Sequence, residues 1–185
     1  MPGLLPKEYI KAARDAVHNT SDPLEAQAKV NQIYRQMMRS VGQDNSGKRV
    51  IVVSGSPGSG KTHYVRENIG KNDIALDFDY LTAALSMDDT LYGERESQLD
   101  VAFAARDAVF SEVEARRGNW KTAYIITAEK NPQKVQALVD RLRAELVTIE
   151  ATPEQCKENI RNDERRKDVA DRFISLVDDW FQKPP

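Results

Sequence analysis

The sequence holds a single cysteine, Cys156, so no disulfide can form within the chain, and a reducing compartment such as the cytoplasm suits it. No apolar run approaches the roughly 20 residues needed to cross a bilayer. The opening stretch "MPGLLPKEYIKAARDAV" lacks the continuous apolar segment behind a basic cap that marks a secretory signal. Histidine is scarce: His18 and His63 are isolated and make no metal site. A net charge of -2 gives no basis for wrapping long duplex nucleic acid, although it leaves room for a local basic patch. Repeats and low-complexity tracts are missing, and so is any N-K-x-D element for reading guanine. What remains, with 40% hydrophobic and 30% charged residues, reads as one soluble domain with an appendage.

The pattern changes once along the chain. Tyr9, Ile10, Ala13 and Val17 recur at helical spacing within Lys7 to Val17. A second helix is expected from "SDPLEAQ", with Asp22 as cap, Pro23 at the first position and Glu25 completing a capping box. It should stop before "SVGQDNSGKR", which reads as a linker. Residues 1–45 are therefore read as an N-terminal helical segment that docks a partner or assembles copies of the chain, and residues 46–185 as the main domain. In the latter, Val50–Val53, Ile74–Phe78, Tyr124–Thr127 and Leu146–Ile149 are short, largely β-branched runs separated by helical segments. That alternation predicts an α/β fold: a parallel sheet of about four to five strands with helices on both faces. The segment Gln98 to Arg117 is expected to turn Val101, Ala105, Ala108 or Val109, and Val113 to one face. "NPQK" at Asn131 and "TPEQ" at Thr152 each put a cap before a proline, and Thr152 with Gln155 forms a capping-box pair. Gly70 is the expected terminator of the helix that begins at Lys61.

One motif identifies a ligand class. Gly55-Ser56-Pro57-Gly58-Ser59-Gly60-Lys61-Thr62 satisfies G-x-x-x-x-G-K-[ST], between an apolar run and a helix. Glycines let the chain bend so that successive N–H groups face a polyphosphate. Lys61 can then reach the β- and γ-phosphates, the Thr62 hydroxyl can ligate Mg²⁺, and the helix adds the positive end of its dipole. The expected ligands are ATP and Mg²⁺.

Two further elements suggest a reaction. "IALDFDYL" sets Asp77 and Asp79 at the carboxyl end of an expected strand, where open parallel sheets bind ligands; strand alternation would send both to one side. One carboxylate can accept a proton from an attacking hydroxyl while the other holds a Mg²⁺-bound water, or either can simply cap the next helix. "CKENIRNDERRKD" supplies Arg161, Arg165 and Arg166, with Arg161 and Arg165 sharing a face if helical. They can neutralise a transferred phosphoryl group, or lace a solvated helix with Glu158 and Glu164. Glu129, after "AYIITA", is a weak version of an ATPase acidic element. His63 reads as a surface or packing residue and Cys156 as packing, while Trp120, Trp180 and Phe181 read as core or edge anchors. Tyr92 is a lesser candidate for stacking on an acceptor base.

In their order, "GSPGSGKTHYVRENI", "LDFDYL" and "TPEQCKENIRNDERR" resemble the P-loop polynucleotide kinases and small phage-type P-loop kinases, over roughly Arg49 to Arg166. The resemblance implies a P-loop NTPase fold and ATP-dependent transfer of a phosphoryl group to a hydroxyl, foremost the 5′-hydroxyl of a nucleic acid or nucleotide. It also implies that Asp79 activates that hydroxyl and that Arg161 and Arg165 grip the donor. A small-molecule or sugar-nucleotide (toxin-type) kinase and a non-kinase ATPase or binding module are the alternatives. The family often carries an arginine shortly after its aspartate to hold the acceptor phosphate. Here those positions are Leu81, Thr82 and Ala83, which leaves Arg95 or Arg106 as substitutes.

Overall fold

A computed structural model describes residues 7–41, 47–87, 91–93 and 96–182. Arg95 thus lies outside the described residues. The chain forms two compact units: Met1–Ser46 with Ala115–Arg117, and Gly47–Glu114 with Gly118–Pro185.

The first unit is built on helices α1 (Lys7–His18) and α2 (Pro23–Val41), which pack on each other. Asp22 caps α2, its carboxylate accepting the Leu24 N–H at 2.9 Å. Instead of completing a capping box, Glu25 pairs with Lys29 one turn on, at 2.7 Å. The helix runs on to Val41, into the stretch read as linker. Among the described residues, no helix of the chain is long and apolar enough to cross a membrane.

The second unit is α/β. Its sheet has the order β2-β3-β1-β4, from β1 (Arg49–Ser54), β2 (Ile74–Leu76), β3 (Thr122–Thr127) and β4 (Glu145–Thr148), and every pair is parallel. The connecting helices are α3 (Lys61–Asn68), α4 (Phe78–Ser86), α5 (Leu99–Glu114), α6 (Pro132–Leu142), α7 (Pro153–Arg161) and α8 (Ala170–Phe181). The centre of β1 is buried on both faces, which is why its apolar run does not alternate with polar residues. Val50 and Val52 join Phe110, Val113 and Leu142 from α5 and α6, while Ile51 and Val53 join Val65 from α3. A third cluster, Cys156, Ile160 and Val177, locks α7 to α8. On the short edge strand β4, Glu145 pairs with Arg49 of β1 at 2.8 Å.

Two expectations for this unit's elements need correction. The second strand stops at Leu76; Asp77 caps α4, so alternation along a strand does not govern Asp77 and Asp79. The cap wins because the Asp77 carboxylate accepts the Asp79 N–H, and Phe78 stacks on Phe103 at 4.8 Å instead of extending the strand. In α5 the buried residues are Ala102, Phe110 and Val113, whereas Val101 is 57% exposed. Helix α3 ends at Asn68 as expected: Ile69 leaves it in extended conformation, and Gly70 follows with its N–H held by Asp73 at 2.8 Å.

Candidate functional site

The carboxyl ends of β1 and β2 lie along one rim of the sheet because the strands are parallel. The loop from Gly55 to Gly60 leaves β1 there and enters α3, whose N-cap, Gly60, offers no capping side chain to the first-turn N–H groups. Gly58 has φ +76°, and a Cβ on it would stand 2.5 Å from the Cys156 carbonyl oxygen. A Cβ on Gly55 would meet the Ile149 carbonyl at 2.7 Å. Only glycine fits at either position. The loop is seated on α7: the Asn159 side chain donates to the Gly58 carbonyl at 2.9 Å, and Ser56 Oγ lies 3.0 Å from Cys156 Sγ. Cys156 is therefore a buried packing group under the loop.

Lys61 is buried and folds back on the loop, donating to the carbonyls of Gly55 and Ser56 at 2.9 and 2.7 Å. Burial pulls its pKa down to about 8, with the Asp77 charge opposing and the Arg166 charge adding to the drop. Ser59 Oγ is buried without a hydrogen-bond partner. An orphaned hydroxyl, an uncapped helix start and a buried ammonium held only by carbonyls fit a cradle built for an anion.

Thr62 donates its hydroxyl to Asp77 Oδ2 at 3.0 Å, while Asp77 Oδ1 accepts the Asp79 N–H at 3.0 Å. Asp77 therefore caps α4 and faces the cradle at once. Its carboxylate and the Thr62 hydroxyl are hard oxygen donors of the kind Mg²⁺ takes. Among the described residues no group of three or more His, Cys, Asp or Glu could cage a metal alone.

Asp79, in the first turn of α4, has its pKa raised to about 6. Burial is the main cause and the neighbouring Asp77 charge the second, against the opposing charges of Arg166, Lys61 and Arg172. Two clefts share Tyr92, and Asp79 lines the second of them. One of about 350 Å³ is lined by Gly58, Gly60, Lys61 and Thr62 together with Asn159, Asn162, Arg165 and Arg166. The other, of about 430 Å³, is lined by Asp79, Phe78, Thr82, Glu96, Arg172 and Phe173. Tyr92 lines both.

The arginines differ from expectation. Helix α7 ends at Arg161, and Asp163 then caps a separate 3-10 turn, Glu164–Arg166. Arg161 and Arg165 therefore share no helical face, and among the described residues lining the cradle cleft are Arg165 and Arg166, not Arg161. Arg165 is gripped by Asp163 through Nε and Nη2, both at 2.8 Å, and donates from Nη1 to the Tyr80 hydroxyl at 3.1 Å. The bonds to Asp163 raise its pKa.

Arg106 pairs with Asp107 and stacks over Phe103 at 4.9 Å, and it does not line the second cleft; the arginine there is Arg172 on α8. Nothing local in the sequence marks Arg172, whose place depends on how α8 packs on α7. Arg166 had one signal, an N-D pair that can end one helix and cap the next turn.

The other candidates take structural roles. Glu129 accepts the Asn131 N–H ahead of α6, His63 is exposed and pairs with Glu67, Trp120 is in the core, and Trp180 packs edge-on against Phe181. Tyr92 stands under Arg166, its ring centroid 4.5 Å from the guanidinium carbon.

No protein-family model matches the chain, and no curated protein matches it at a significant level.

Proposed function

We propose that the second unit has a P-loop NTPase fold and works as an ATP- and Mg²⁺-dependent kinase, moving the γ-phosphoryl group of ATP to a hydroxyl of a nucleic-acid end or nucleotide. The observation that carries this reading is the half-buried Asp79, with its raised pKa, lining a second cleft that shares Tyr92 with the phosphate-type cradle. A hydrolase needs room only for water beyond the phosphate, whereas a transferase needs a cavity for its acceptor. The three sequence elements that resemble polynucleotide and phage-type kinases supply the cradle, Asp79 and the Arg165–Arg166 turn.

Gly55 to Thr62 hold the phosphates, with Lys61 giving up its carbonyl partners to reach them. Thr62 and Asp77 would hold Mg²⁺, which would supply charge neutralisation for the phosphates. Asp79 accepts the acceptor's proton as the acceptor oxygen bonds to the γ-phosphorus, and the bond from that phosphorus to the β-bridging oxygen breaks, leaving ADP. Arg172 and Glu96 on the second cleft's wall bind the acceptor's polar groups.

The test is incubation with γ-labelled ATP, Mg²⁺ and a panel of 5′-hydroxyl oligonucleotides, nucleosides and sugar nucleotides. Label is expected on a hydroxyl acceptor, and label found only as free phosphate would overturn the reading. Asp79→Asn should lower transfer by about 100- to 10,000-fold and leave ATP affinity nearly unchanged. Full transfer by that variant would remove Asp79 as the base.

A further inference from the structure

Arg165 and Arg166 both line the cradle cleft, but they are not equally available. Three nitrogens of Arg165 are already committed to Asp163 and Tyr80. Among the described residues, the Arg166 side chain makes one hydrogen bond, from Nη2 to the Tyr92 hydroxyl at 2.7 Å. Its Nε is buried without a hydrogen-bond partner, the nearest Asp163 oxygen lying 3.6 Å away. Its side chain is only 14% exposed, with the guanidinium carbon 4.5 Å from the Tyr92 ring centroid and 4.7 Å from that of Phe173. Tyr92 in turn packs edge-on against Phe173 at 5.0 Å. Arg166 is thus a charged fork with donors to spare, held beside the cradle by the Tyr92 hydroxyl, the Tyr92 and Phe173 rings and a longer ion pair to Asp163. That tyrosine comes from the segment between α4 and α5, whereas the arginine follows α7.

We infer that Tyr92 is a positioning residue: its hydroxyl and ring hold Arg166, which rather than Arg165 or Arg161 binds the donor phosphates together with Lys61. This rests on the kinase reading for its purpose, but not for its test. An arginine's planar fork matches phosphate oxygens only when its orientation is set beforehand; otherwise binding must order four side-chain torsions. The ring faces set the plane, and the hydroxyl sets rotation within it. Tyr92 also lines the second cleft, so an acceptor held there would touch a side chain that holds Arg166.

The experiment is a double-mutant cycle on the full chain, with binding of β,γ-imido-ATP and Mg²⁺ followed by titration calorimetry and transfer measured alongside. Tyr92→Phe keeps the ring against Phe173 and is expected to weaken binding about tenfold, the effect of one charge-assisted hydrogen bond. Arg166→Gln should weaken it more, and Tyr92→Phe added to it should cost nothing further. Arg166→Lys serves in the cycle if the glutamine variant does not fold. Unchanged binding in Tyr92→Phe, or a loss that adds in full to that of Arg166→Gln, overturns the inference. Wild-type protein that binds the analogue but transfers no phosphoryl group would sink the kinase reading and leave the cycle to decide Tyr92. Protein that does not bind the analogue would overturn both.

Discussion

Asp79 is charged at neutral pH at a cost, because burial and the Asp77 charge both favour its protonated form. Two consequences follow from a pKa of about 6 in the fold against an ordinary 3.8. A base must be deprotonated to act, so kcat/KM should fall about tenfold per unit as pH drops below about 6. At the other limb it should fall as pH rises past about 8, where free Lys61 loses its charge. The stability effect has the opposite sense. The folded state binds the Asp79 proton more tightly than the unfolded chain, so this group stabilises the fold increasingly as pH falls through about 6. Asp79→Asn should therefore melt at a higher temperature than wild type at pH 7.5, with the gap narrowing towards pH 4. A variant that melts lower at pH 7.5 would contradict the assigned burial. The raised pKa could not be read from "IALDFDYL", since it depends on what α4 is packed against.

Helix α7 supports the cradle at the scale of the element. Thr152 and Gln155 form the capping box that the sequence suggested, with both reciprocal bonds present. Thr152→Ala should cost about 1 kcal/mol in denaturant unfolding. Behind the helix start, Cys156 and Ile160 face Gly58 so closely that a methyl group cannot be added there. Gly58→Ala should abolish detectable nucleotide binding by calorimetry, while circular dichroism still reports a folded α/β protein. The caps at Asp22, Asn131 and Thr152 were legible because each is a local side-chain-to-backbone bond within a few residues. Asp77 was legible only as one of two options, strand end or cap, because a three-residue edge strand has little period to read.

For the whole molecule, the sheet order places the cradle's strand β1 between β3 and β4, where both faces are covered. Ligand held at its carboxyl end is thereby coupled to the unfolding of the second unit's core. Mg²⁺ and ADP at 100 times Kd should stabilise that unit by about 2.7 kcal/mol, read as a rise in melting temperature that grows with ligand concentration. Lys61→Ala should remove the rise. A shift that persists in that variant would mean that nucleotide binds elsewhere.

The sequence by itself determined the alternation of strands and helices, the glycine loop with Lys61 and Thr62, and most helix starts. Each of these is written in neighbouring residues or in a short repeat of apolar positions, where backbone geometry and local hydrogen bonds decide the outcome. Only the tertiary structure decided which arginines line the cradle cleft. Breaking α7 at Asn162 separates Arg161 from Arg165, and the turn capped by Asp163 brings Arg166 to Tyr92, 74 residues away in sequence. It also decided that Arg172 rather than Arg106 lines the second cleft, because Arg106 is held against the rings of Phe78, Phe103 and Phe110. Such placements depend on contacts between residues far apart in the chain, and the one local signal, the Asn162-Asp163 pair, marks the turn but not what its arginine meets.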